Sequence, residues 1–373
     1  MSEWFSPVPY EYNETRLILD FGLSSATKHY NDKIVPKIGS VRRLRSFSYA
    51  LAGIKLYSDL KKELKPSVRP SHIAHALEAL ANKIHWNRDD KKPNDRILGV
   101  NGFKKHPDEW GFENLLKYYV KSNTMRQSSV AALRNFNLVK GSTYNSFTLE
   151  PQGELIAELF LKSFGVKSNI SGWIKSNAKM DITKISSISP DKITDKEIEQ
   201  IVSFLNSEDP GNDCRRKSIW ELFKLGKPYK ELLDENHKND ILMVESYELF
   251  KIELTNFYLE IALNIGSGIS KIKISKGKLD LSIKNYEENK LKSKLNHPKI
   301  EHLLNNIKNK EVPALIGYLL EIEHDLIRKD ENNRVQQSSL FSEERIKSLK
   351  RDNSATELPR LAQIRYLIEE SKA

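Results

Sequence analysis

The stretch that decides the predicted fold is TMRQSSVAALRNFNLVKGSTYNSFTLEPQGELIAELF, residues 124–160. Thr124 is an acceptable N-cap, because its hydroxyl can accept a hydrogen bond from a free amide in the first helical turn. Val130 and Leu133 are three residues apart and share one helical face, which we expect to be buried. Asn137 can adopt the positive φ that often ends a helix. The pattern therefore predicts a short amphipathic helix that stops at Asn137.

A β-ribbon is predicted directly after this helix. Residues 140–146 are rich in Gly, Ser, Thr and Asn, as hairpin tips are. Phe147 and Leu149 alternate with Thr148, as in a half-buried strand. Pro151 then suits the first turn of another helix. The predicted order is helix, ribbon and helix.

This order resembles the winged helix-turn-helix superfamily, whose members mostly bind duplex DNA. The resemblance covers about residues 111–162, and Asn137 stands where winged-helix proteins often carry Gly before a Leu-Val pair. It implies that residues 125–136 are the recognition helix and that residues 140–146 are the wing. The alternative is a winged helix that serves as a structural or protein-binding module.

Double-stranded DNA is therefore the expected partner. Gln127 and Asn135 can pair with adenine edges in the major groove, and Ser or Thr can contact bases or phosphates. Arg126 and Arg134 have stems long enough to reach phosphates, while wing residues can touch the backbone or the minor groove. The resemblance assigns these residues to DNA: Thr124, Arg126, Gln127, Ser128, Arg134, Asn135, Lys140 and Tyr144.

A second basic cluster lies at the start of a helix predicted over residues 41–60. It consists of Arg42, Arg43 and Arg45. Positive charges are unfavourable at a helix N-terminus, because the helix macrodipole is positive there. An anion is therefore expected to compensate them. A DNA phosphate is one hypothesis and an ordinary solvated charge cluster is the other, and we include the three arginines among the predicted DNA contacts.

Composition favours a polyanionic partner. The chain has 373 residues, a net charge of +10 and a pI of about 9.2, and phosphate contacts by cations release counterions. A genome that simply uses Lys at surface positions is the alternative explanation of this charge. The single cysteine, Cys214, excludes an intrachain disulfide framework and a cysteine-based zinc cluster. With no secretory signal and no apolar run of about 18 residues, we expect a cytoplasmic protein with no membrane span.

Catalytic motifs are absent from the sequence. It contains no GxxxxGK[ST] loop, Rossmann fingerprint, HExxH or GxSxG. His72 and His75 form an HxxH pair, but a third ligand at fixed spacing is missing. We therefore expect no cofactor, no metal and no catalysis. A scattered nuclease site is the alternative, and its candidate carboxylates are Glu245 with Glu253, and Glu321, Glu323 and Asp325.

The predicted fold class is mainly α with a small β-wing. We divide the chain into a mainly helical region over 1–110, a winged helix over 111–165, a linker over 166–190 and a helical domain over 191–373. Within the last region, the alternating residues 272–283 are either a hairpin that turns at Lys276-Gly277 or part of a helical repeat, and residues 330–339 are predicted to be a linker.

The predicted function is that of a non-catalytic DNA-binding protein whose C-terminal helical half docks a protein partner or self-associates. The biological setting that we expect is an accessory subunit of a multi-protein bacterial DNA transaction, such as restriction or anti-phage defence. No single residue supports that setting. A transcriptional regulator that senses a ligand through the helical half is the first alternative, and a metal-dependent nuclease is the second.

Overall fold

The computed structural model describes most of the chain. The described residues are 19–41, 43–88, 98–120, 124–163, 167–177, 193–207, 214–227, 234–264, 274–293, 295–322, 327–329, 335–337, 343–349 and 358–372. Within these ranges helices dominate, and the described strands form two short antiparallel ribbons. The prediction of a mainly α protein with a small β-ribbon is confirmed.

The elements follow one another in a simple order. The first part of the chain contains α1 Ser24–Ile34, α2 Arg45–Leu60, α3 Pro70–Arg88, α4 Val100–Lys105, α5 Phe112–Tyr118, α6 Met125–Asn135, β1 Val139–Lys140, a 3-10 turn Tyr144–Ser146, β2 Thr148–Leu149, α7 Pro151–Ser163 and α8 Lys167–Ser176. The second part contains α9 Asp195–Leu205, α10 Arg215–Lys224, α11 Glu235–Asn264, α12 Gly277–Lys290, α13 Pro298–Ile307, α14 Val312–Ile322, β3 Ile327–Lys329, β4 Val335–Gln337, α15 Glu343–Leu349 and α16 Pro359–Glu370.

Contacts within the chain divide it into two compact units. The described residues of unit 1 come from Lys37–Lys224 and 363–372, and those of unit 2 come from 19–36 and Leu225–Ala362. This division differs from the predicted one, because helix α1 belongs to the unit that contains α11. The region predicted as a separate winged helix shares one unit with α2 and α3.

Helix α2 is the centre of unit 1. It is buried on all sides over most of its length and packs against α3, α6 and α7. Gly53 allows the close approach of α3, because a Cβ at this position would lie 2.6 Å from the Cβ of Ala74.

Helix α6 and its ribbon follow the predicted order. Asn137 has a φ of 53° and ends the helical segment as expected. In the ribbon, Val139 pairs with Leu149 and Lys140 with Thr148. The buried face of α6 is rotated from the prediction, since Val130 is only half-buried. Its buried residues are Met125, Ser129, Ala132 and Leu133.

Unit 2 is built on α11, which is 30 residues long. Three tyrosines join it to its neighbours: the Tyr30 and Tyr286 hydroxyls are 3.0 Å apart, and the rings of Tyr30 and Tyr247 meet edge to face at 5.0 Å. The alternating segment 272–283 adopts a helix from Gly277 onward, so the hairpin alternative is wrong. Part of the predicted linker 330–339 instead forms β4, which pairs with β3.

Candidate nucleic-acid interface

The start of α6 is closed by a capping box. The Thr124 hydroxyl accepts a hydrogen bond from the Gln127 amide at 3.3 Å, and the Gln127 side-chain oxygen accepts one from the Thr124 amide at 3.1 Å. Thr124 is fully buried, so its prediction as an outward-facing DNA contact is wrong. Gln127 is exposed, but the oxygen that would pair with an adenine amino group already caps the helix.

A buried carboxylate completes this helix start. Glu78, on α3, accepts hydrogen bonds from the Met125 amide at 2.9 Å and from the Tyr119 hydroxyl at 3.0 Å. Burial raises the pKa of Glu78 to about 7, and the positive charges of Arg43 and Arg126 oppose that rise. In the first turn of α6, the Met125 and Gln127 amides thus have acceptors within the protein.

The loop that precedes α2 covers part of the face predicted to read DNA. The Ser40 hydroxyl donates to the Ser128 carbonyl at 3.2 Å, and the Asn135 amide donates to the Lys37 carbonyl at 3.1 Å. The Ser128 hydroxyl is itself used, because it donates to the Met125 carbonyl at 2.8 Å. Ser128 is half-buried, whereas Asn135 remains exposed. Its amide nitrogen is nevertheless hydrogen-bonded within the protein.

The ribbon tip is anchored to the core by Tyr144. Its side chain is buried and its hydroxyl donates to the Ala50 carbonyl, so the predicted contact of Tyr144 with DNA is wrong. Lys140 is exposed, and its ammonium lies 2.8 Å from the Glu150 carboxylate. The side-chain oxygen of Asn145 accepts a hydrogen bond from the Ser71 amide at 3.1 Å. The tip therefore lies beside the start of α3.

Three arginines surround this ribbon tip. The Arg126 guanidinium lies 5.1 Å from the centre of the Tyr144 ring, and Arg134 donates to the Ser142 carbonyl at 3.4 Å. Arg69 is exposed and precedes α3 next to the Ser71 contact. Burial lowers the pKa of His72, and the positive charges of Arg69 and Arg126 lower it further.

These arginines make no ion pair in the part of the chain that the structure describes. Within the described ranges, no carboxylate lies within 4.0 Å of Arg69, Arg126 or Arg134. We call the surface formed by these three side chains the basic face. Arg69 was missed by the sequence analysis, because only the fold brings the start of α3 to the ribbon. The available signal was Pro70, which marks the start of helix α3 and so places Arg69 directly before that helix.

The other predicted arginine cluster has a different environment. Arg42 lies outside the described residues. Arg45 is 3% exposed, is 3.4 Å from the Glu197 carboxylate and lies 4.8 Å from the Phe160 ring centre; its prediction as a DNA contact is wrong. The Leu44 amide donates to the Glu370 carboxylate at 2.6 Å. The anions expected at this helix start are thus the protein's own carboxylates. Arg43 is half-buried near Glu78.

The nuclease candidates do not converge in the described parts of the chain. No three His, Cys, Asp or Glu side chains there are grouped as a metal ion would require. Burial raises the pKa of Glu245 to about 7 and also raises that of Glu253. Glu323 and Asp325 lie outside the described residues, and Glu321 is exposed. In the same described parts, every helix is too short or too polar to cross a membrane.

Comparisons of the chain with protein-family profiles, with curated proteins and with solved structures find no match.

Proposed function

We propose that this chain is a non-catalytic DNA-binding protein of the winged-helix type, and that the basic face contacts the phosphate backbone of duplex DNA. The order of α6, the ribbon and α7 supports the winged-helix assignment. The observation that carries the proposal is the placement of Arg69, Arg126 and Arg134 around the ribbon tip with no carboxylate partner among the described residues. Guanidinium groups bind phosphates well, because they offer several donors in a planar fork.

Backbone contacts fit this surface better than base contacts do. Bidentate pairing with adenine needs both the oxygen and the nitrogen of a side-chain amide. In Gln127 the oxygen caps α6, and in Asn135 the nitrogen binds Lys37. Each residue therefore has part of its hydrogen-bonding capacity engaged within the protein, which favours backbone contacts over base contacts. We expect binding that depends strongly on salt and on DNA length and weakly on sequence.

The test compares two double variants of the full chain. Fluorescence anisotropy with a duplex of random sequence is measured over a series of salt concentrations. Removing both exposed arginines in Arg69→Gln/Arg134→Gln should reduce the slope of log affinity against log salt by about 2, since each lost phosphate contact removes about 1. Arg126 is left in place because it packs on the Tyr144 ring.

The matched control removes the same charge elsewhere in unit 1. Lys104 and Lys105 are exposed at the end of α4. That end lies beside the later part of α3, since the Lys83 ammonium donates to the His106 carbonyl at 2.7 Å. Lys104→Gln/Lys105→Gln should leave the salt slope nearly unchanged. Equal loss of affinity in both double variants would attribute binding to net charge alone and refute the proposed surface.

The wider role remains part of the proposal. An accessory subunit should bind duplexes according to length, whereas a ligand-sensing regulator should select one operator from random sequences. Cleavage of plasmid in Mg²⁺ or Mn²⁺ would favour the nuclease alternative.

Docking of a protein partner by the helical C-terminal part is tested by capture of the native complex and identification of its components.

A further inference from the structure

Unit 2 contains a cavity that the proposed DNA-binding function does not use. Its volume is about 450 Å³, and it is lined by α1 and α11, with contributions from α15 and the first turn of α16. Cavities that hold small molecules usually measure about 300–1,000 Å³. Polar and charged side chains form much of the wall, including Asp20, Lys28, Asn31, Lys251, Thr255 and Arg360.

The acidic groups of the cavity are already engaged within the protein. Glu248 lies 3.0 Å from the Lys251 ammonium. Asp20 accepts hydrogen bonds from the Gly22 amide at 2.9 Å and from the Ser24 hydroxyl at 2.5 Å, and the bond from Ser24 lowers the pKa of Asp20. Both carboxylates of the wall therefore have partners within the protein, which does not favour a cation as the ligand.

The basic groups are only partly balanced. Arg360 is mostly buried, and its guanidinium lies 3.2 Å from the Asp32 carboxylate. Lys28 projects from the exposed side of α1, and none of the described carboxylates lies within 4.0 Å of it. Lys251 is paired with Glu248 and Arg360 with Asp32, so Lys28 is the cation of the wall without a carboxylate partner among the described residues. An anionic group would complement Lys28.

Asn31 adds a requirement for a hydrogen-bond donor. Its side chain is 9% exposed, and its side-chain oxygen is buried without a hydrogen-bond partner. A buried polar atom in this state costs free energy unless a ligand or water satisfies it. If the side-chain amide is turned over, the same position instead offers two donors. In either orientation, Asn31 presents unsatisfied polar capacity at the cavity wall.

We propose that this cavity binds a small organic anion that carries a hydroxyl or amino group near its charge, with the size of a sugar phosphate or a nucleoside monophosphate. The anionic group lies against Lys28 on the open side of the cavity. The neighbouring hydroxyl or amino group reaches Asn31, and Leu19, Ile252 and Leu349 contact the less polar part of the ligand. This inference concerns unit 2 alone and does not depend on DNA binding by the basic face.

Isothermal titration calorimetry on the full chain tests the proposal with defined probes. The anionic probes are ribose 5-phosphate and adenosine 5′-monophosphate, and the neutral controls are ribose and adenosine. Inorganic phosphate is the third control, because it carries the charge without the organic part. We expect at least one organic phosphate to bind at millimolar concentration or below, and to bind more tightly than its neutral counterpart and than inorganic phosphate.

Variants then locate the binding. Lys28→Ala should lower the affinity for the organic phosphate about tenfold, because one charge-assisted hydrogen bond typically contributes about that much to binding. Lys284→Ala removes an exposed lysine of α12 and should change nothing. Arg69→Gln/Arg134→Gln should also leave this affinity unchanged, which separates the cavity from the basic face. The proposal is overturned if neither organic phosphate binds, if inorganic phosphate binds equally well, or if Lys28→Ala binds like the parent chain.

Discussion

The two arginine-rich regions that the sequence assigned to DNA differ in what surrounds them. At the start of α2, Arg45 lies inside the protein against Glu197, and the Leu44 amide binds Glu370. Around the ribbon tip, Arg126 and Arg134 contact an aromatic ring and a carbonyl oxygen, and neither has a carboxylate partner among the described residues. Arg45 is thus paired within the protein, whereas the arginines of the ribbon tip lack such a pair, and for this reason we propose the tip as the DNA-binding surface.

The carboxylates that make this difference come from distant parts of the chain. Glu197 is 152 residues from Arg45, and Glu370 is 326 residues from Leu44. Local composition is similar in both regions, so composition alone does not identify an anion-binding surface. The discriminating observation is whether folding brings a carboxylate to each arginine.

The largest expected effect comes from breaking the buried ion pair between Arg45 and Glu197. Arg45→Met removes the cation and leaves Glu197 buried without its charged partner. Losses of about 3–5 kcal/mol in the free energy of unfolding are typical when one member of a buried ion pair is removed. Urea unfolding followed by tryptophan fluorescence measures this loss, because Trp86, Trp110, Trp173 and Trp220 all lie in unit 1.

The double variant Arg45→Met/Glu197→Gln provides the control for this prediction. It removes both charges and should recover much of the lost stability. Folded Arg45→Met protein should bind duplex DNA as tightly as the parent chain. Unchanged stability together with weakened DNA binding would show that Arg45 contacts DNA and that the comparison between the two regions is mistaken.

The next largest effect concerns Glu78, whose carboxyl group accepts a hydrogen bond from the Met125 amide at the start of α6. Glu78 titrates near pH 4.5 when unfolded and near pH 7 when folded, because burial disfavours its charged form. The folded state therefore holds an extra proton between these values. The corresponding stability is complete below the unfolded pKa and is lost as the pH rises to about 7. The loss amounts to at most about 3 kcal/mol.

Glu78→Gln should abolish this loss while keeping an acceptor for the Met125 amide. Two other groups titrate in the same range. Burial lowers the pKa of His75 to about 4, so its contribution to the free energy of unfolding rises with pH, and burial raises the pKa of Glu245 to about 7, so its contribution falls with pH as that of Glu78 does. The quantity to measure is therefore the difference in unfolding free energy between parent and variant at about pH 5 and about pH 8. A difference that is the same at both pH values would contradict the assignment to Glu78.

The smallest expected effect separates structural from DNA-reading amides. Gln127→Ala removes one half of the capping box and should reduce the free energy of unfolding by about 1 kcal/mol or less. Duplex affinity should change by less than about twofold, since the lost group is not expected to contact DNA. Arg134→Gln, the matched exposed variant on the same helix, should show the reverse pattern. If Gln127→Ala instead loses much of its affinity for one particular duplex sequence, Gln127 contacts a base and this part of the account is wrong.

Much of the region around α6 could be predicted from the sequence. The cap at Thr124, the stop at Asn137, the ribbon and the start of α7 at Pro151 each depend on residues that are neighbours in the chain. Local conformational preferences are enough to place such features. The same local pattern did not show that Thr124 and Tyr144 are buried.

The remainder depends on contacts between distant residues. The sequence does not indicate that Ser40 donates to the Ser128 carbonyl, because these residues are 88 positions apart. It also does not indicate that Glu78 accepts a hydrogen bond from the Met125 amide, because those residues are 47 positions apart. The same limit applies to unit 2, where Thr27 binds Tyr247 across 220 residues. The cavity between α1 and α11 therefore has no local signature.

Photo-crosslinking to DNA tests the central claim most directly. A photoreactive amino acid is placed at position 134, at position 142 in the ribbon tip, or at position 104 on α4 in otherwise unchanged chains. If the basic face contacts the DNA backbone, positions 134 and 142 should crosslink to a radiolabelled duplex in a salt-sensitive manner, and position 104 should not. Crosslinking at position 104 alone, or equally at all three positions, would contradict the account.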